Sequence, residues 1–243
     1  SGLIALTTIY DWSEIDVYYT TDGIADILII LTAYLIPLAI ISNWNTINNI
    51  LYYELVLNLG IILLLNFICQ DMTSFYIYFE ASLAPLFIMI GMYGAANKDK
   101  ASDYILIYTL FSSLFMLLAI ALYEVLLDNT DYQATSLLVL SVDLQCILFL
   151  AISIGIAVKT PLAPVHTWLP VVHSESPLAG SILLAGVILK LAVYAIIRLI
   201  LPTLSDAVVL YTPLVYVLCV ITIIYTSIIT LRQTDLKVII AYS

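Results

Sequence analysis

The feature that most constrains this chain is a series of apolar segments, each long enough to cross a lipid bilayer. A transmembrane helix needs about 20 predominantly apolar residues, and seven such segments follow one another with short polar loops between them. Charged residues make up only 10% of the 243 residues and hydrophobic residues 63%, whereas a soluble domain carries about 25% charged residues. We therefore predict an all-α fold, a polytopic bundle of about seven transmembrane helices.

The predicted membrane domain covers residues 23–243 and follows an interfacial or loop segment, residues 1–22. An eighth apolar segment begins near Val238 and the sequence stops at Ser243, which predicts a partial chain or a second chain that supplies further helices. The seven predicted spans lie at about 23–42, 50–69, 74–94, 103–123, 143–170 with a break, 177–200 and 207–231.

The distribution of basic residues predicts the orientation of the bundle and excludes one class of partner. If the loops alternate sides, one side receives four basic residues and the other receives only Arg198. By the positive-inside rule the first side faces the cytoplasm or the mitochondrial matrix. No basic stripe is present, so nucleic acid is excluded as a partner and membrane lipids are expected around the chain. The four residues are Lys98, Lys100, Arg232 and Lys237.

Three charged residues lie inside apolar segments, namely Glu80, Lys159 and Lys190. A charge at the centre of a bilayer costs about 2.5–3.5 kcal/mol on insertion scales, so such residues usually pair or line water. Burial disfavours a charged lysine and a nearby carboxylate favours it, so a lysine whose partner comes and goes can gain and lose a proton. The three residues therefore predict a proton or ion relay, with a structural ion pair or a snorkelling lysine as the alternative.

A helix break follows Lys159 directly. Pro161 disfavours helix at Thr160 and removes a backbone donor, and Pro164 repeats the effect. Freed carbonyls are tolerated at membrane depth only where they are buried or line a cavity, and transporters place broken helices at their ion sites. The spacing is equally compatible with a simple end of the span before a loop.

Three further titratable residues are weaker candidates for a supporting role in the relay. His166 and His173 follow the break, and histidine can shuttle protons near neutral pH, although a lone histidine is more often structural. Glu54 lies about one turn into the second span, where an interfacial position is as compatible as an internal one. Two histidines make a poor metal site, and three cysteines without CxxC spacing predict no cluster or zinc ligation.

The segment VKTPLAPVHTWLP at residues 158–170 closely resembles the subunit 4 family of mitochondrial NADH:ubiquinone oxidoreductase (complex I). The resemblance extends to His173, to LKL around Lys190, to FEAS around Glu80, and to residues 228–243. It covers nearly the whole chain from about Asp22. The family usually has a charged residue followed by alanine where this chain has Val171 and Val172, and it has fourteen helices.

The resemblance implies an antiporter-like subunit fold and a proton-translocating role in the membrane arm of complex I. In that family, the position of Glu80 faces that of Lys159, and the position of Lys190 is the central relay lysine. The chain would then hold no redox centre or cofactor, since NADH, FMN, iron–sulfur clusters and ubiquinone belong to other subunits. Its implied partners are the other membrane-arm subunits, including the sibling antiporter-like subunits, in the mitochondrial inner membrane.

Two other functions remain open from the sequence. Multisubunit sodium/proton antiporters and membrane-bound hydrogenases share the inverted-repeat fold, so buried charges alone do not separate them from complex I. A structural or assembly fragment of the membrane arm, with charges that are merely paired, is the alternative of a different class.

Overall fold

The computed structural model describes residues 22–43, 50–127, 130–137 and 140–243. These ranges are helical apart from turns and an isolated β-bridge between Asp71 and Asp131. Seven helical segments in the described ranges are long and apolar enough to cross a membrane, which confirms the predicted all-α transmembrane bundle. The predicted interfacial segment, residues 1–22, lies outside the described residues except for Asp22.

Two of the first four spans begin at an aspartate whose side chain caps the helix. Asp22 accepts a hydrogen bond from the Ala25 amide at 3.4 Å, and Asp71 accepts one from the Ser74 amide at 2.9 Å. Each cap satisfies an amide that has no partner inside the helix, so the third span starts at Met72. The helices of these spans are α1 (Gly23–Ser42), α2 (Ile50–Ile68), α3 (Met72–Ala81) with α4 (Leu83–Tyr93), and α5 (Lys98–Leu127).

The remaining spans include a helix break and two π-helical turns. The break separates α7 (Val142–Lys159) from α8 (Trp168–Glu175). The π-helical turns, Leu184–Ile188 and Ile196–Ile200, interrupt the sixth span, which runs from α9 (Leu178–Leu183) to α11 (Leu201–Thr203). The helices are α6 (Tyr132–Ser136), α7 (Val142–Lys159), α8 (Trp168–Glu175), α9 (Leu178–Leu183), α10 (Leu189–Ala195), α11 (Leu201–Thr203), α12 (Ser205–Thr230) and α13 (Leu236–Tyr242).

The core of the bundle places α7 against α5. At Gly155 an added Cβ would lie 2.9 Å from Met116 Cβ and 3.2 Å from Ser112 O, so a larger residue would separate the two helices. Such small residues allow close approach of helices in membranes. By contrast, only 6% of the apolar window of α12 is buried, so the seventh span lies at the margin of this bundle.

The Arg198 side chain links several segments at one end of the bundle. Its guanidinium lies 3.0 Å from the Asp22 carboxylate and donates to Gln70 Oε1 at 3.5 Å. It also lies 5.0 Å from the centre of the Tyr132 ring, a cation–π distance. The sixth span is thereby tied to the start of α1 and to the turns on either side of the β-bridge.

Candidate functional site in the membrane

The helix break after Lys159 forms where the sequence places its prolines. α7 ends at Lys159, and the next helix begins only at Trp168. The Thr160 amide donates to Ile156 O at 2.8 Å, and the Leu162 amide donates to Ala157 O at 3.0 Å. Two of the last carbonyls of α7, Ile156 O and Ala157 O, therefore keep backbone partners although the regular helix has ended.

The carbonyl of Val158, next to Lys159, accepts a hydrogen bond from a side chain. The indole Nε1 of Trp168 donates to Val158 O at 2.8 Å, and the Trp168 side chain is 1% exposed. A buried tryptophan usually finds a partner for its N–H. Here that partner is a carbonyl at the break, so the start of α8 is folded back onto the end of α7.

The third span is also interrupted, next to Glu80. Pro85 has no amide to offer Ala81 O and its ring crowds that carbonyl, and α3 accordingly ends at Ala81. The Ser82 hydroxyl turns back and donates to Phe79 O at 2.8 Å. This interruption leaves Phe79 O able to accept a second hydrogen bond from outside its own helix.

The Lys159 ammonium fills the space between the two interruptions. Its Nζ donates to Phe79 O at 2.9 Å and lies 3.7 Å from Glu80 Oε1. It also lies 3.1 Å from the centre of the Phe79 ring, within cation–π distance. The Lys159 side chain is 1% exposed, so the structure brings two of the three predicted relay residues, Glu80 and Lys159, together as a buried pair.

The Glu80 carboxylate depends on this pair more than the lysine does. Its side chain is 15% exposed, and neither of its oxygens accepts a hydrogen bond from the described residues. A separation of 3.7 Å from the ammonium is an ion-pair distance and is longer than a charge-assisted hydrogen bond. A carboxylate held this way has open acceptor positions, because no described residue donates a hydrogen bond to it.

An apolar cavity of about 460 Å³ adjoins Glu80 on the side between α4 and α5. Apart from Glu80, every residue that lines it is hydrophobic, so the cavity offers the carboxylate no second polar partner. These residues are Leu83, Ala84, Phe87, Ile88, Ile105, Leu106 and Leu110.

Lys190 differs from the expectation that it faces the interior of the bundle. Its side chain is exposed, and its ammonium donates to Ala185 O in the first π-helical turn of its own span. No ion pair within the described ranges includes it. No other described span covers that side of the sixth span, and the lysine bonds to its own helix.

The two histidines are buried at opposite ends of the segment after the break. The His166 ring packs edge-on against Tyr225 at 5.4 Å, and its Nδ1 has no hydrogen-bond partner among the described residues. Burial lowers the pKa of His173 to about 4, and the positive charge of Lys237 contributes. His173 is therefore neutral at pH 7, and a relay role for either histidine stays a prediction.

Glu54, the third supporting candidate, lies on the exposed surface of α2. A role in the relay stays a prediction for this residue as well.

The far end of α8 is anchored to two other parts of the chain. The Asn97 amide donates to Glu175 Oε2 at 2.9 Å, and the Ala95 amide donates to Glu175 O at 2.9 Å. Lys237 donates to Ser174 O at 3.3 Å and also to the carbonyl of the next serine, Ser176. These contacts place the loop before α5, the end of α8 and the start of α13 at the same end of the bundle.

Sequence reasoning missed two residues that contact the break, Trp168 and Thr222. Thr222 Oγ1, on α12, accepts a hydrogen bond from the Ala163 amide at 3.0 Å. A tryptophan inside an apolar segment was a usable signal for Trp168, because its N–H requires a partner. No local pattern marks Thr222, since its contact joins residues 59 positions apart.

The described ranges contain no group of three or more His, Cys, Asp and Glu side chains that could hold a metal ion. The expectation that this chain carries no cofactor stays a prediction.

Comparison with known sequences identifies the chain's relatives. A family described as NADH:quinone oxidoreductase/Mrp antiporter, transmembrane, matches residues 69–243. The chain is 78% identical over its whole length to NADH-ubiquinone oxidoreductase chain 4 of Debaryomyces hansenii, and 79% identical to that of Candida albicans. In both comparisons the chain covers 52% of the relative, so it spans about half the length of these curated relatives.

Comparison with solved structures agrees on the fold. A chain of respiratory complex I from Thermus thermophilus, solved with bound NADH, superposes with a TM-score of 0.81 at 26% sequence identity. The match covers 92% of this chain and 48% of that one. The antiporter-like fold that the resemblance predicted is thereby confirmed.

Proposed function

The chain belongs to the transmembrane family shared by NADH:quinone oxidoreductases and Mrp antiporters, and from that premise we propose that it translocates protons within the membrane arm of complex I. The observation that carries the proposal is the buried pair of Glu80 and Lys159 beside a helix break. A charge pair of this kind in a membrane bundle marks an ion pathway or a proton relay more often than a purely structural contact.

The relay works through exchange of the Glu80–Lys159 pair. While the pair is closed, the carboxylate stabilises the ammonium against the apolar surroundings. When the carboxylate moves away or is protonated, the Lys159 ammonium keeps only Phe79 O and the Phe79 ring as partners, and its proton can pass to the next acceptor. Return of the carboxylate reloads the lysine.

Lys190, as a neutral amine that has first released its own proton, is the next acceptor in this scheme, and it lies on an exposed side of the sixth span. In relatives about twice as long, further helices are available to cover that side, and a covered Lys190 would complete the relay. His166, His173 and Glu54 keep the supporting positions given to them by the sequence, with Glu54 the weakest because it lies on an exposed surface.

The names of the relatives support the setting that we propose for the chain. The chain lies in the mitochondrial inner membrane as a multi-pass subunit, next to sibling antiporter-like subunits and membrane lipids. It is part of an enzyme, NADH:ubiquinone reductase, while NADH oxidation and ubiquinone reduction take place in other subunits.

The proposal is tested with Glu80→Gln and Lys159→Met in the purified complex that contains this chain, reconstituted in liposomes. We expect each variant to reduce proton-coupled ubiquinone reduction by about a hundredfold or more, the size expected when a positioned acid or base is lost. Cys146→Ala is the control and should leave turnover unchanged, since the thiol belongs to neither interruption.

Normal proton-coupled turnover in an assembled Lys159→Met complex would refute the proposed relay. Retained pumping would then favour the structural alternative, in which the charges are merely paired. Absence of flavin and iron–sulfur subunits from the purified complex, together with sodium-dependent growth at alkaline pH, would instead indicate an antiporter.

A further inference from the structure

The prolines leave few backbone donors in the break after Lys159. Pro161 and Pro164 have no amide hydrogen, so Leu162 and Ala163 are the two donors between Thr160 and Val165. Leu162 bonds to Ala157 O, inside α7. The Ala163 amide instead bonds to a side chain on another span, Thr222 Oγ1, at 3.0 Å.

The Thr222 hydroxyl is oriented to accept this bond. It donates its own hydrogen to Leu218 O at 2.7 Å, one turn earlier in α12, and its lone pairs are therefore free to face Ala163. The side chain is half-buried, in a helix that is otherwise largely exposed. One of the contacts that join the seventh span to the break is therefore a hydrogen bond with a fixed direction.

The same stretch of chain is held from its other side by Trp168, which donates to Val158 O. Lys159 lies between the two anchored residues, Val158 and Ala163. A residue whose neighbours on both sides are anchored has little freedom to move relative to Glu80 and Phe79 O. The Lys159 Nζ lies 2.9 Å from Phe79 O and 3.7 Å from Glu80 Oε1, and these short distances leave little tolerance for displacement.

We propose that Thr222 is a positioning residue for Lys159: its hydroxyl fixes the break and thereby the place from which the lysine reaches Glu80. The inference rests on the proposed relay function of Lys159 and extends it to a residue of the seventh span. Thr222 contacts neither Glu80 nor the Lys159 ammonium and moves no proton. Without its hydroxyl, the Ala163 amide is left unpaired at membrane depth, which is unfavourable enough to make the break rearrange.

The decisive variants are Thr222→Val, which keeps the shape and removes the hydroxyl, and Thr222→Ser, which keeps the hydroxyl. Thr226→Val is the matched control, because the Thr226 hydroxyl lies one turn further along α12 and bonds only to carbonyls of its own helix. All three are made in the purified complex, reconstituted in liposomes.

Two readouts are recorded, hydrogen exchange of the segment that contains Ala163 and protons translocated per NADH oxidised. We expect Thr222→Val to speed exchange of this segment by about tenfold, the effect of losing one hydrogen bond. We expect the same variant to lower the pumping ratio by about half or more, because a displaced relay group transfers protons poorly. Thr222→Ser should restore both values, and Thr226→Val should change neither.

Wild-type exchange and pumping in Thr222→Val would overturn the inference, as would equal effects of Thr222→Val and Thr226→Val. Should the valine variant fail to assemble, Thr222→Cys takes its place in both measurements, because a thiol is only a weak acceptor. Lys159→Met, measured alongside, separates the two proposals: full pumping in that variant refutes the relay, whereas lost pumping beside a silent Thr222→Val refutes only the positioning role.

Discussion

Regular helix is interrupted both at the break after Lys159 and in the sixth span around Lys190. The lysine is buried at the first of these interruptions and exposed at the second. At the break, partners come from α3, α8 and α12, and the ammonium is buried. Around Lys190, the ammonium bonds to Ala185 O of its own span and stays exposed. A charge is buried in this bundle only where segments distant in sequence supply the partners.

The largest expected effect comes from removing the partner of the buried lysine. Glu80→Ala should lower the free energy of unfolding by about 3–5 kcal/mol, because breaking a buried pair leaves one charge uncompensated. Thermal and denaturant unfolding of the protein in detergent micelles measures the loss. Glu54→Ala is the matched control on the exposed face of α2, and it should stay within about 0.5 kcal/mol of the wild type.

If Glu80→Ala and the wild type have equal free energies of unfolding, the buried state of Lys159 does not depend on its carboxylate partner, and the contrast with Lys190 does not hold. Such a result would mean that Lys159 is held by Phe79 alone, through its carbonyl and its ring.

A smaller effect on folding stability, which depends on pH, is expected from His173 near the far end of α8. The pKa of His173 is about 4 in the folded chain and about 6.5 in an unfolded one. The unfolded chain therefore binds more protons between these values, and the stability contributed by neutral His173 is present above pH 6.5 and is lost as pH falls toward 4. His173→Gln should flatten this decline, measured as the unfolding temperature at pH 7 and pH 5.

If His173→Gln and the wild type lose the same stability between pH 7 and pH 5, the histidine is not buried in its neutral form. In that case the neighbouring Lys237, whose charge also disfavours protonated His173, does not lie against it.

The smallest effect is expected at Lys190. Lys190→Met should change the stability of the isolated chain by no more than about 0.5 kcal/mol, as is typical of exposed positions without special contacts. The same variant in the purified complex sharpens the comparison. A larger loss there would show that the lysine is covered after assembly, whereas an equally small loss would show that it stays exposed.

The sequence was sufficient to predict the bundle from a general physical limit, whereas the facing positions of Glu80 and Lys159 were implied by the family resemblance. Seven apolar segments require seven helices in lipid, and the high energy of an isolated charge predicts that Glu80 and Lys159 are paired or line water. The position of Lys190 could not be predicted in the same way. The same limit indicates a covered lysine, but the covering element is not among the seven spans described.

Contacts between segments were also beyond sequence reasoning. The start of the third span depends on a cap by Asp71, which a local pattern can suggest. The bond from Ala163 to Thr222 depends on how α12 lies against the break, and several hydroxyl residues on α12 are equivalent in sequence terms. Thr226, one turn further on, bonds only within its own helix.

The π-helical turn at Leu184–Ile188 has a consequence for how this chain can change by mutation. A π-helical turn holds one residue more than the α-helical turn it replaces, and each residue of an α-helix turns its successors by about 100° around the axis. An in-frame loss of one codon from this turn would leave a regular helix of almost the same length. The α-helical turn that remains would still close one full turn, so Lys190 would keep nearly the same side of the helix axis, whereas the loss of one residue from a regular helical segment would rotate it by roughly 100°.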